Sequence, residues 1–153
     1  MPIHCSIVSQ DRLVWEGEAD IIIAPGVDGE MGILPHHAPL LSTLQYGYLK
    51  VRYEGQEDVF TIAGGIIEVQ PNLVTVLADA AENVKEIDIA RAEAARQRAE
   101  GLLHTHSEVS DDSYLAIEAA LRRSKLRLDA VQKYRRAGGT RSHPPGTGSH
   151  ETG

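Results

Sequence analysis

Gly26-Val27-Asp28-Gly29-Glu30-Met31-Gly32-Ile33-Leu34-Pro35-His36-His37-Ala38-Pro39-Leu40-Leu41 is the stretch from which the rest of the chain can be read. Three glycines and two prolines punctuate these sixteen residues, threaded between apolar side chains. Such density of backbone breakers marks tight turns between short strands and excludes a helix. On both sides lie short runs rich in β-branched and aromatic residues. Ile3 to Val8 and Ala19 to Ala24 precede it; Tyr46 to Tyr53, Val59 to Ala63 and Leu73 to Leu77 follow. Runs of this length and composition predict strands. In the third, Leu49, Val51 and Tyr53 alternate with Lys50 and Arg52, the period-2 pattern of a half-buried strand. Pro25-Gly26, Asp28-Gly29, Glu54-Gly55, Gly64-Gly65 and Pro71-Asn72 read as the turns between runs. Many short strands at regular spacing predict an all-β sandwich.

After Ala80 the period changes. Asp88 is placed to cap a helix running from Ile89 to Glu100, with a small-residue stripe at Ala92, Ala95, Ala99 and Leu102. Gly101 to Ser110, with His104 and His106, is polar and reads as a loop. Ser110-Asp111-Asp112-Ser113 then supplies capping and anionic residues for a second helix start. Tyr114, Ile117, Leu121, Ser124, Leu128 and Val131 recur at alternating steps of three and four, a heptad-like seam. Two helices joined by a short loop predict an antiparallel hairpin. The fold class is therefore β + α: an N-terminal all-β sandwich followed by a C-terminal antiparallel two-helix hairpin. Ser124 interrupts the seam and the facing stripe is mostly alanine, so the hairpin buries little area and is expected to be marginally stable. Residues 137–153, dominated by Gly, Ser, Thr, His and Pro, read as a disordered tail. No internal repeat is present.

Composition narrows the function classes. The chain has 153 residues, room for one ordinary domain or two small ones. No run approaches the ~18 apolar residues of a membrane span, and the start lacks the pattern of a leader peptide. A lone cysteine, Cys5, precludes an internal disulfide and fits a reducing compartment. Net charge is −7 and aromatic residues make up 5%, which argues against a nucleic-acid binder. The charge is uneven: residues 1–87 carry thirteen acids and four bases, whereas 122–136 carry seven bases against the single acid Asp129. A basic terminal segment on an acidic protein points to an acidic partner or a bound anion, the alternative being a solvated helix face. The histidines offer no metal site, since the His36-His37 pair and His104-x-His106 lack cysteine or carboxylate partners at ligand spacing. Gly64-Gly65 is no phosphate loop, because no Lys-Ser/Thr follows. No nucleophile–base pattern is readable either, so catalysis by this chain alone is not expected.

The quoted stretch resembles a family signature. A Gly-x-x-Gly-x-(Met/Leu)-Gly-(Ile/Val)-x-Pro-x-His-x-Pro-Leu run is characteristic of the ε subunit of bacterial and chloroplast F-type ATP synthases. Gly26, Gly29, Gly32, Pro35, His37, Pro39 and Leu40 fall on it. The likeness extends through Gly47, Gly64-Gly65-Ile66-Ile67-Glu68-Val69 and Val74 to Asp79, and covers the chain up to about Arg136.

The resemblance implies a sandwich at about 1–84 and a regulatory hairpin at about 88–136. It implies a non-catalytic central-stalk subunit bound to the γ subunit and resting on the c-ring. Such a subunit would sit peripherally on the cytoplasmic face of the bacterial plasma membrane, reaching the membrane only through the complex. The surface implied for partners comprises Gly29, Met31, Gly32, Pro35, His37, Pro39 and Leu40. The hairpin is implied to extend and restrain ATP hydrolysis by the α/β subunits, with Arg122, Arg123 and Arg127 meeting acidic segments of the catalytic β subunits. Ile87-Asp88-Ile89-Ala90-Arg91-Ala92 also matches the (Ile/Leu)-Asp-x-x-Arg-Ala pattern linked to ATP in some members, accompanied by Glu82, Arg98, Arg123 and Arg127. No cofactor is required, and ATP is the candidate regulatory ligand. The simpler reading of the same residues is that Asp88 caps a helix and the arginines are solvated. Two other readings are a small ATP-binding sensor that closes on nucleotide and a β-sandwich adaptor with inert helices. The chain departs from common members in its long Gly/Ser/Pro-rich tail and in His104 and His106 of the inter-helix loop.

Overall fold

Two long strands organise the sandwich. In the computed structural model, which describes residues 1–105 and 110–135, β5 (Leu40–Tyr53) and β6 (Gln56–Gln70) pair antiparallel along almost their whole length. Each serves both layers. The first half of β6 pairs with β8 (Ala81–Asn83) and the second half with β7 (Leu73–Ala78). The far half of β5 pairs with β3 (Ile21–Gly26), which in turn holds the edge strand β4 (Gly29–Ile33). β1 (Ile3–Val8) runs parallel to β7 and carries β2 (Leu13–Ala19) on its other side. The resulting order is β2-β1-β7-β6-β5-β3-β4, with β8 branching from β6.

Gly64-Gly65 is not a turn between strands. Both residues lie inside β6 at positive φ, +87° and +135°, and the strand swings there from the β8 side to the β7 side. Only glycine tolerates this backbone cheaply. At Gly65 a Cβ would stand 2.3 Å from the Leu77 carbonyl oxygen, so the close approach of β7 also forbids a side chain. Pro25-Gly26 likewise belongs to a strand, the end of β3, and the reversal falls on Val27-Asp28. β2 opens on Leu13-Val14-Trp15 but passes into Glu16-Gly17-Glu18, and β4 carries two glycines and a glutamate, so neither is an unbroken run of β-formers. Glu54-Gly55 and Pro71-Asn72 are turns, as their residues require.

Alternation delivers the core. Ile3, Cys5 and Ile7 of β1, Val74 and Val76 of β7, and Leu49 and Val51 of β5 are all buried at every second position. They close around Phe60, Ile22, Ile33, Ile62 and Ile67, with Trp15 tilted against Phe60 at 5.8 Å between ring centroids. Tyr53, expected beside Leu49 and Val51, is 36% exposed at the strand end.

The chain leaves the sandwich through β8 and a short 3-10 turn, Val84–Glu86, capped by the Asn83 side chain. α1 (Ile89–His104) starts at Asp88, whose carboxylate accepts the Arg91 amide at 3.1 Å. Gly101 to His104, expected in the loop, continue this helix, so one glycine does not break it. Ala92 and Ala99 are buried on the expected stripe, but Leu102 is 43% exposed. α2 (Asp111–Ala130) is capped by Ser110 and ends in a π-helical turn, Val131–Arg135. The seam residue Ser124 is 2% exposed, and its hydroxyl donates to the Leu121 carbonyl at 2.9 Å, so it needs no partner from α1. His106, Arg136 and the tail 137–153 lie outside the described residues.

Candidate functional site

The hairpin lies against the sandwich, and the contact between them gathers most of the functional candidates. Its apolar part is small. Val84, Ile87 and Ala130 are buried together, edged by Tyr48, Val59, Val131 and Tyr134. Tyr48 and Tyr134 meet edge to face at 5.0 Å. Burial first, then the Asp129 carboxylate, push the Tyr48 phenol above its ordinary pKa, so this hydroxyl stays protonated.

The rest of the contact is cationic. The Arg127 guanidinium forks onto Glu82, Nε to Oε1 at 2.7 Å and Nη2 to Oε2 at 3.3 Å, joining α2 to β8. Both side chains are about three-quarters buried, and a two-pronged arginine–carboxylate pair is the geometry that keeps such a contact specific. The Arg122 guanidinium lies 4.0 Å from the centre of the Tyr46 ring. Lys133 and Lys50 approach the Tyr134 ring from the two sides of the contact, each at 5.4 Å. The Arg135 Nη2 donates to three carbonyls of the turn between sandwich and hairpin: Val84 at 3.0 Å, Lys85 at 2.9 Å and Ile87 at 2.8 Å.

The residues expected to form a nucleotide site are only partly assembled. Glu82 and Arg127 are joined to each other. Asp88 is occupied as a helix cap. Arg91, Arg98 and Arg123 are exposed, and no described residue engages their guanidiniums. The neighbouring Arg96 instead bridges Glu93 and Glu100 along α1.

The residues of the Gly26–Leu41 region divide. Met31 and Leu40 pack on the sandwich core, while Gly29, Gly32 and Pro39 are exposed on the β4 edge and the loop after it. His36 sits at φ +66° in the turn after Leu34, and its amide donates to the Pro71 carbonyl at 2.8 Å. The His37 ring lies 2.7 Å from the Ala38 carbonyl. Among the described residues no cluster of His, Cys, Asp and Glu could hold a metal ion, and no helix is long and apolar enough to cross a membrane.

Sequence reasoning missed Tyr46, Tyr48, Tyr134 and Arg135. A signal for the last was available. Continuing the seam of three and four from Leu128 and Val131 lands on residue 135, so Arg135 occupies a seam position. For the tyrosines there was none, because an aromatic on a half-buried strand does not announce what covers it.

Comparison with known proteins agrees with this architecture. Residues 2–84 match the family model of the ATP synthase delta/epsilon chain β-sandwich domain, and residues 85–132 match that of the long α-helix domain of the same chain. The ATP synthase epsilon chain of Dehalococcoides mccartyi is 45% identical over 134 residues, spanning 88% of this chain and 95% of the relative. That of Herpetosiphon aurantiacus is 46% identical over 136 residues, spanning 89% and 98%. Among solved structures, a chain of the Euglena gracilis mitochondrial ATP synthase (OSCP/F1/c-ring) is similar with a TM-score of 0.56 and 25% identity, over 89% of this chain and 81% of that one. A chain of the Tetrahymena thermophila mitochondrial ATP synthase central stalk and c-ring shares the fold with a TM-score of 0.53 at 15% identity, over 85% and 96%. With both of its parts matched by the two domain models and full-length relatives at this identity, the chain belongs to the ATP synthase epsilon-chain family.

Proposed function

We propose that this chain is a non-catalytic central-stalk subunit with two duties. Its sandwich couples rotation of the γ subunit to the c-ring, and its hairpin restrains ATP hydrolysis by the α/β subunits. This assignment puts it peripherally on the cytoplasmic face of the plasma membrane, held there by the complex. The observation that carries the regulatory reading is where the α2 arginines go. Arg122 and Arg127 are both spent on the sandwich, on Tyr46 and on Glu82. A hairpin folded in this way engages two of the three candidate inhibitory charges within the chain, Arg127 largely buried and Arg122 laid over a ring. Release of the hairpin exposes all three at once on one basic helix, which an acidic surface would attract.

The test is ATP hydrolysis by the assembled enzyme. Truncation after Lys85 raises hydrolysis and leaves proton-driven synthesis largely intact. Replacing Arg122, Arg123 and Arg127 together by glutamate acts in the same direction, and added salt weakens inhibition by the parent chain. Unchanged hydrolysis in both variants overturns the regulatory half of the proposal. Failure of the truncated chain to join the complex overturns the coupling half.

A second reading, regulation by ATP, draws support from Arg91, Arg98 and Arg123, three exposed guanidiniums with no described partner. Arginines from both helices can meet one triphosphate only while the helices lie side by side, so nucleotide favours the folded, non-inhibitory form. Glu82 then competes with the phosphates for Arg127. Calorimetry of the isolated chain checks this: heat of binding is expected with millimolar ATP and is lost in Arg91→Ala. Absence of heat in the parent chain removes the nucleotide role and leaves Asp88 a helix cap.

A further inference from the structure

We propose that Arg135 is the catch that holds the hairpin on the sandwich, acting on the hinge itself and not on the sheet surface. The inference rests on the reading that the hairpin leaves the sandwich, and it names the contact that sets how readily it does so.

The hinge can be located from backbone geometry. Between β8 and α1 the chain passes through Asn83, the 3-10 turn Val84–Glu86, then Ile87 and Asp88. Asn83, Ile87 and Asp88 are extended, with ψ of 129°, 127° and 107°. The turn's internal bond, from the Ile87 amide to the Val84 carbonyl, is long at 3.4 Å. This is a short, weakly self-bonded segment between two well-bonded elements, and rotation there moves the whole hairpin.

Three carbonyls of the segment, those of Val84, Lys85 and Ile87, converge on one nitrogen of Arg135. Nη2 carries two hydrogens, so one N–H is shared between two acceptors. The acceptors are backbone carbonyls of one three-residue turn and of the residue that caps its end. Val84 and Ile87 are each 3% exposed, so their carbonyls have little access to replacement water. Bonds between a charged donor and poorly solvated acceptors are the stronger kind, and leaving the acceptors unpaired is costly.

Position gives this contact a role that Arg127 cannot have. Arg127 ties the last turn of α2 to β8, which belongs to the sandwich. Arg135 ties the end of the π-helical turn to the hinge, so the start and end of the helical region are closed into a loop. Opening at the hinge changes the relative directions of the three carbonyls and cannot preserve all three bonds.

The test uses the full chain carrying spin labels at Gln10→Cys and Ala116→Cys, one exposed on the sandwich and one on α2. Native Cys5 is buried and stays unlabelled. The distance distribution gives the ratio of open to closed hairpin. Trp15 fluorescence reports in parallel on the sandwich, since Trp15 packs against Phe60. In Arg135→Ala the open-to-closed ratio rises about tenfold or more, the effect expected for losing hydrogen bonds from a charged donor, while the Trp15 signal is unchanged. Hydrogen exchange at Lys85 to Asp88 accelerates with it. Arg135→Lys, which keeps a charged donor, falls between parent and alanine variant. An unchanged ratio in Arg135→Ala, a parent chain already open, or loss of the Trp15 signal with the hairpin each overturn the proposal. None of these readings involves ATP hydrolysis, so a failed catch and a failed inhibitory role are told apart.

Discussion

The sandwich and the hairpin are built from the same chain on opposite principles. The sandwich buries seventeen residues in one cluster, every one of them apolar or the lone cysteine. The docked hairpin adds a cluster of only three, Val84, Ile87 and Ala130. What it lacks in apolar area it replaces with directed contacts: Arg127 on Glu82, Arg135 on the hinge, Arg122 on Tyr46. Hydrophobic burial is non-directional and scales with area, so it makes a stable body. A few charged hydrogen bonds offset against desolvation hold one arrangement without making it permanent. The difference teaches how a densely packed body and a lightly held appendage coexist in 153 residues.

The largest effect is expected where the sandwich is densest. Phe60→Ala removes the largest fully buried side chain and should destabilise the sandwich by about 3–5 kcal/mol. Urea unfolding followed by Trp15 fluorescence measures it. A loss below about 1 kcal/mol would break the comparison, because the sandwich would then be no better packed than the hairpin.

Next comes pH. Cys5 is fully buried, and burial pushes its thiol up to about 12. In the unfolded chain a thiol titrates near 8.5. Above that value the unfolded state has lost a proton that the folded state keeps, so stability is full below about pH 8.5 and falls as pH rises toward 12. The slope is about 1.4 kcal/mol per pH unit. Cys5→Ala should flatten this alkaline limb, and denaturation midpoints between pH 8 and 11 check it. An identical slope in the variant removes Cys5 as its source.

The smallest effect belongs to the docked face. A double-mutant cycle on Glu82→Ala and Arg127→Ala should give a coupling energy of about 1 kcal/mol, read as a change in the open-to-closed ratio of the hairpin with sandwich stability unaltered. Coupling that appears instead in the unfolding of the sandwich would mean that the two regions fold as one unit, and the contrast between them would be lost.

Legibility followed the same divide. Alternation at Leu49 and Val51 revealed which face of that strand is buried, because side-chain direction in a strand is set by period alone. Caps were equally readable: Asp88 and Ser110 begin the helices as their residue types require. Gly64-Gly65 was misread, since the same dipeptide suits a turn and a strand that must bend, and only the approach of Leu77 tells them apart. Gly101 was misread because a single helical glycine costs about 1 kcal/mol, which a packed helix absorbs. Residues of the candidate site were visible as charges, but their partners were not.

Sequence by itself carried the family resemblance through its glycine- and proline-spaced signature, and it determined the two-part β + α order and the helix starts, which rest on local backbone rules and short-range periodicity. Tertiary structure alone decided that Arg127 belongs to Glu82, 45 residues away, that Arg122 lies on Tyr46, and that Arg135 closes on the hinge at Val84 to Ile87. The reason is physical. An arginine carries the same charge and reach in every fold, and which acceptor it finds depends on how two separately folded surfaces meet, which no pattern within either segment encodes.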